Sequence, residues 1–169
     1  VPLFIDPMLI FNSEKGIYQN LHKQIIRYFR FLYTKANQGL SPKEIDAWFN
    51  FSEVPNNWLG YSLVGNKGLA LGRKYASFLY KNIAFAIDTH GISQSPHIEK
   101  VMLLYDGSGK DKISDLTVNL IKGFLCEYTE TFAKQFICQG YLDNFAVDKA
   151  YFSYETESFV SKEYVLPYV

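Results

Sequence analysis

Three long stretches of this chain repeat apolar residues at the spacing of an α-helix, and no other feature restricts the available folds as strongly. In the first, from about Glu14 to Gln38, the repeating residues are Ile17, Leu21, Ile25, Phe29, Leu32 and Ala36, with Gly39 as a stop. In the second, from Leu69 to about Thr89, they are Leu71, Tyr75, Phe78, Leu79, Ile83 and Ile87. The third carries Ile113, Leu116, Leu120, Ile121, Phe124, Tyr128, Phe132 and Phe136 on one face, with Gly140 just past its end. Each stripe needs a partner surface, so the three helices are expected to share a core.

The intervening segments read as follows. LFIDP is expected to be a short strand stopped by Pro7, since a residue before proline is pushed towards extended geometry. Ser41, Pro42 and Glu44 form a capping-box start for a short helix through about Asn50. Residues 51–68 read as an irregular loop with one short strand around Gly60 to Leu63, and Val101 to Tyr105 as a buried strand closed by Asp-Gly. The tail segments AYFSYETESFV and EYVLPYV read as two strands. The expected fold is α/β or α+β, a helix-dominated single domain over residues 1–169 with three long helices and a small sheet.

At 169 residues, folding buries roughly 70% of the surface that the unfolded chain exposes, so no disulfide or metal staple is required. An aromatic fraction of 17% favours a packed interior over disorder. Cys126 and Cys138, both in apolar sequence with no CxxC, read as free buried thiols in a reduced, cytoplasmic setting. The apolar N-terminus, broken by two prolines and an aspartate, is too short to be an anchor, so no membrane is expected. A start without Met and an end inside YVLPYV lead to the expectation of a fragment of a longer protein.

The net charge of zero conceals an asymmetry: residues 1–82 carry 10 Lys+Arg against 5 Asp+Glu, and residues 83–169 carry 7 against 12. Such polarity either steers an anionic partner towards the first half or draws the two halves together. Lys23, Arg27, Arg30 and Thr34 fall in one stripe of the first helix. This is a solvated face or a phosphate-contacting one. In LVGNKGLALGRKYASFL, Gly65, Asn66 and Gly68 precede a helix bearing Arg73 and Lys74, with Lys67 in the loop. Glycines and a helix N-terminus suit a phosphate, but they serve a tight loop equally well.

LLYDGSGKDKISDLTVNLIKGF, residues 103–124, tests two templates and meets neither. A P-loop needs glycine where Leu104 stands and Ser or Thr where Asp111 stands. A calcium loop starting at Asp106 needs glycine at Asp111 and glutamate at Thr117. The simpler reading has Asp111 or Ser114 capping the third helix and Asp115 in its first turn. The other gathers Asp106, Asp111, Asp115 and Asn119 into a polar site, the one place where Mg²⁺ is conceivable; otherwise no metal and no cofactor is expected. His22, His90 and His97 are scattered, and Glu155 and Glu157, expected to share a strand face, lack the lysine of an E-x-K nuclease motif. No catalytic residue emerges.

LFIDPMLIFNSEKGIYQNLHKQIIRYFRFL, NNWLGYSLVGNKGLALGRKYASFL, SPHIEKVMLLYDGSGKDKISDLTVNLIKGFLCEYTETFAKQF and YFSYETESFVSKEYVLPYV, in this order, span nearly the whole chain. Together they resemble the N-terminal region of an uncharacterised bacterial, restriction- or phage-defence-like protein family whose C-terminal part resembles a PD-(D/E)xK nuclease. Here the glycine loop reads GNKGLALG, with Ala70 at a glycine position of the family pattern. The resemblance implies a non-catalytic recognition or regulatory domain, with DNA or RNA and the C-terminal nuclease-like domain of the same protein as partners. Lys23, Arg27, Arg30, Lys67, Arg73 and Lys74 are the nucleic-acid-binding candidates. Two alternatives stand beside it: a small metal- or ligand-binding enzyme-like domain on the aspartate loop, and a scaffold that dimerises through aromatic surface, which predicts a large exposed apolar patch.

Overall fold

The computed structural model describes residues 5–51, 76–83 and 110–168, with side chains from residue 113 onward in the last segment. The fold is helix-dominated with a two-stranded antiparallel sheet, which makes it α+β. The chain divides into two compact units, Val1–Val118 and Asn119–Val169.

The first unit opens with α1 (Pro7–Phe11). Pro7 is here the first helical residue and not the end of a strand. The Asp6 carboxylate caps the helix by accepting the Met8 N–H, and a proline at this place gives up only an N–H that has no helical partner anyway. Next, α2 (Gly16–Ala36) buries Leu21, Ile25, Tyr28, Phe29, Leu32, Tyr33 and Ala36. Ile17, expected on that face, is exposed because the buried stripe begins one turn later. Gly39 ends the segment at φ +70°, a left-handed conformation that favours glycine. In α3 (Pro42–Phe49) both halves of the capping box form: the Ser41 N–H donates to Glu44 and the Glu44 N–H to Ser41.

Aromatic residues hold these helices together. The Tyr28 hydroxyl donates to the Trp48 carbonyl at 2.6 Å, satisfying a helix-end acceptor inside the core. The Tyr28 ring stands edge-on to Phe51, and Phe31 edge-on to Trp48. A helical stretch over residues 76–83 (α4) adds buried Ala76, Leu79 and Ile83, and its Tyr80 meets Phe49 edge-on at 5.6 Å. The second long helix of the sequence reading is described only there. The loop over residues 52–68 and the strand at 101–105 lie outside the described residues.

Helix α5 (Lys110–Phe136) starts in the first unit and continues into the second. In the second unit a short 3-10 turn (Gln139–Tyr141) leads to β1 (Leu142–Ser153), which pairs with β2 (Ser158–Pro167). The hairpin turn falls at Tyr154–Glu157, inside the segment expected to be a single strand. Glu155 and Glu157 are therefore turn residues and share no strand face. Nothing in YETE announces a turn, because Glu157, at φ +48°, occupies the left-handed position usually given to glycine or asparagine. Cys126 is half-buried and Cys138 is exposed beyond the end of α5, so the pair of buried thiols is corrected to one partly shielded thiol and one at the surface.

The hairpin is fastened to α5 by charge as well as packing. Glu130 accepts the Lys134 ammonium at 2.7 Å and the Val165 N–H at 3.0 Å, and Lys162 reaches Glu127 at 2.8 Å. The Lys134 hydrogen bond, followed by that from Val165, holds the Glu130 carboxyl below its ordinary value. A carboxylate lowered on folding contributes stability above its unfolded value, which is lost as pH falls through the folded one. Thermal stability is expected to decline below about pH 4.3. In melts at several pH values, Glu130→Gln should melt below the native chain at neutral pH, and this gap should narrow as the pH is lowered towards 3.

Candidate functional site

Among the described residues, the exposed face of α2 holds the clearest assembly of like charge. Lys23, Arg27 and Arg30 are all exposed and lie within two turns of each other, on the side of the helix opposite Ile25, Phe29, Leu32 and Ala36. From Gly16 to Ala36 the helix carries four cations and no carboxylate. No acid stands at i±3 or i±4 of these cations within the helix. Thr34 completes the row, its hydroxyl donating to the Arg30 carbonyl at 2.9 Å. The fourth cation, Lys35, lies off the row and over the rings of Trp48 and Phe31, at 5.2 and 5.5 Å.

Lys67, Arg73, Lys74 and the loop residues Gly65, Asn66 and Gly68 lie outside the described residues, as does Asp106. For Asp111 the backbone is described and is the second residue of α5, so it lies within the helix and not at its cap. Ser114 is likewise interior. Its buried hydroxyl accepts the Ile5 N–H at 2.8 Å, fixing the chain ahead of α1. Asp115 stands past the first turn, at 5% exposure, and Asn119 follows one turn later at 3%. Together with buried Thr117, whose hydroxyl donates to the Ile113 carbonyl, they give α5 an unusually polar buried stretch. Among the described residues no three His, Cys, Asp or Glu side chains gather where a metal ion could be held.

A cleft of about 470 Å³ in the second unit is lined by Lys134, Ile137, Gln139, Leu142, Asp143, Asn144 and Val165. Its charged groups already have local partners: Lys134 holds Glu130, and Asp143 accepts the Asn144 N–H at 2.7 Å. The cleft thus has a mixed lining without a nucleophile and base in reach of each other.

Sequence reasoning assigned Tyr128, Phe132 and Phe136 to the buried face of the third helix, and they are exposed by 65%, 50% and 64%. The buried positions near them are Ile121 and Ala133. No local signal marks the face that is packed. Lys122, Glu127, Glu130 and Lys134 all fall on the other half of the helical wheel, and this is the side that the hairpin uses.

The whole chain, residues 1–169, matches the sequence pattern of a family described as a domain of unknown function (DUF8370). The chain belongs to this family. No curated protein and no solved structure matches the chain. Membership of DUF8370 assigns no chemistry, so the reading of the site depends on the residues described above. Among the described residues, no helix is long and apolar enough to cross a membrane.

Proposed function

We propose that this chain is a non-catalytic recognition module that meets a nucleic-acid backbone through the α2 stripe Lys23, Arg27 and Arg30, with Lys67, Arg73 and Lys74 as further contacts. One observation carries the proposal: three exposed cations stand in a row on a helix that has no carboxylate of its own. The helix is also held rigid, because its opposite face is core, so the cations keep their spacing when a polyanion arrives. The sequence resemblance supplies the setting, the N-terminal part of a cytoplasmic bacterial defence protein with a nuclease-like domain following it. In this reading the module needs no cofactor, and sequence choice and cleavage belong to other parts of the assembly.

Fluorescence anisotropy with a labelled duplex at graded salt tests this. If Lys23, Arg27 and Arg30 each neutralise one phosphate, together they account for a loss of roughly 40-fold in affinity between 50 and 200 mM salt. Replacing all three with alanine is expected to reduce the slope of log affinity against log salt by about 3. An unchanged slope, or no binding at low salt, removes the proposal. A thermal stabilisation by Mg²⁺ without any duplex binding would favour the aspartate-loop reading instead.

A further inference from the structure

The structure points to a second function for α5. We propose that Phe124, Tyr128, Phe132 and Phe136 form a ladder that packs against the same ladder of a second copy of this chain. These four residues recur at i, i+4, the row that makes a ridge along a helix. Their rings are close in pairs, with centroids 6.4 Å apart for Phe124 and Tyr128 and 4.7 Å apart for Phe132 and Phe136. Tyr128, Phe132 and Phe136 stay exposed. The hairpin meets α5 through Lys122, Gly123, Glu127 and Glu130, all outside the ladder row.

The charge pattern selects a second copy as the occupant. A two-fold axis brings a patch against itself, so any charge beside the axis meets its own sign. The residues flanking the ladder are Leu125, Thr129, Thr131 and Gln135, all uncharged, and Glu127, whose carboxylate is met by Lys162 at 2.8 Å. The threonine hydroxyls are turned back onto the helix, with Thr129 donating to the Leu125 carbonyl and Thr131 to the Glu127 carbonyl, both at 2.8 Å. The charges of this half of α5 are drawn to the hairpin side, where Glu127 holds Lys162, Glu130 holds Lys134 and Lys122 leans on the Asp148 carbonyl. A partner of opposite charge would find nothing to read along the ladder. A self-complementary aromatic ridge does.

The area agrees. An aromatic side chain buries roughly 150–250 Å², so the exposed parts of Tyr128, Phe132 and Phe136 offer roughly 350 Å² per copy. Two copies together reach roughly 700 Å², and the flanking residues bring the sum to the ~1,000 Å² of a specific but weak interface. The dimer is therefore expected to be concentration-dependent.

Light scattering on the full chain from about 5 to 500 μM reads this directly. The mass should rise from one copy towards two over that range, and Phe132→Glu should keep it at one copy throughout, with an unchanged circular dichroism spectrum because Phe132 is half-exposed. Phe132→Lys should do the same. Mixing the two variants should restore the two-copy mass, since opposite charges then face each other across the contact. A native chain that stays at one copy to 500 μM, a dimer that persists in Phe132→Glu, or a mixture of the two variants that stays at one copy would each overturn the proposal.

Discussion

Gly123→Ala is expected to lower the stability of the chain, although alanine is the better helix former by about 1 kcal/mol. Gly123 lies well inside α5, where propensity alone would favour the replacement. Packing reverses the sign. A Cβ at this position would stand 2.9 Å from the Ala150 carbonyl oxygen and 3.5 Å from the Tyr164 hydroxyl. The nearer atom is backbone and cannot swing aside. That carbonyl is pressed towards the helix by a bulge in β1, where three residues, Asp148 to Ala150, stand opposite Ser161 alone, and Lys149 takes φ +52°. Overpacking of this kind costs about 1–3 kcal/mol or more, so a net loss of about 1–2 kcal/mol and a fall of roughly 2–8 °C in melting temperature are expected. Hydrogen exchange should show the loss at the hairpin amides first. A variant that melts higher than the native chain would mean that the hairpin and helix stand further apart than described.

The same contact shows where the sequence ceased to be readable. The capping box of α3, the stripe of α2 from Leu21 onward and its glycine stop depend on residues at most a few positions apart, and all three formed where the spacing placed them. Tyr128, Phe132 and Phe136 failed for a different reason. Periodicity tells which residues share a face of a helix; it does not tell which face has something to pack on. The hairpin that decided the matter joins α5 through Gly123, Ala150 and Tyr164, contacts that join residues 27 and 41 positions apart and leave no local trace. The turn at Tyr154–Glu157 was missed because glutamate occupies a glycine-like conformation there. For the basic row the outcome was the reverse: Lys23, Arg27 and Arg30 are exposed because charged side chains on the face of the helix turned away from the core stay in water.

Because the stripe depends on the core behind it, Phe29→Ala is expected to have the largest effect on the first unit. Phe29 is wholly buried, flanked by Tyr28 edge-on at 6.5 Å, and lies on the wheel opposite Lys23 and Arg27. Removing a buried phenyl ring leaves a cavity and costs about 3–5 kcal/mol, a large part of the total stability of a domain of this size. The melting temperature should fall by roughly 10 °C. Lys23→Ala and Arg30→Ala, at exposed positions, should change stability by no more than about 0.5 kcal/mol. The comparison separates scaffold from contact. Well below its melting temperature, Phe29→Ala should bind a duplex with the native salt slope, because its cations are all present. The two surface variants should be as stable as the native chain yet each lose about one unit of that slope. If Phe29→Ala melted within a degree or two of the native chain, the face of α2 behind the stripe would not be packed, and three cations on a loosely held helix would have no fixed spacing to offer a polyanion.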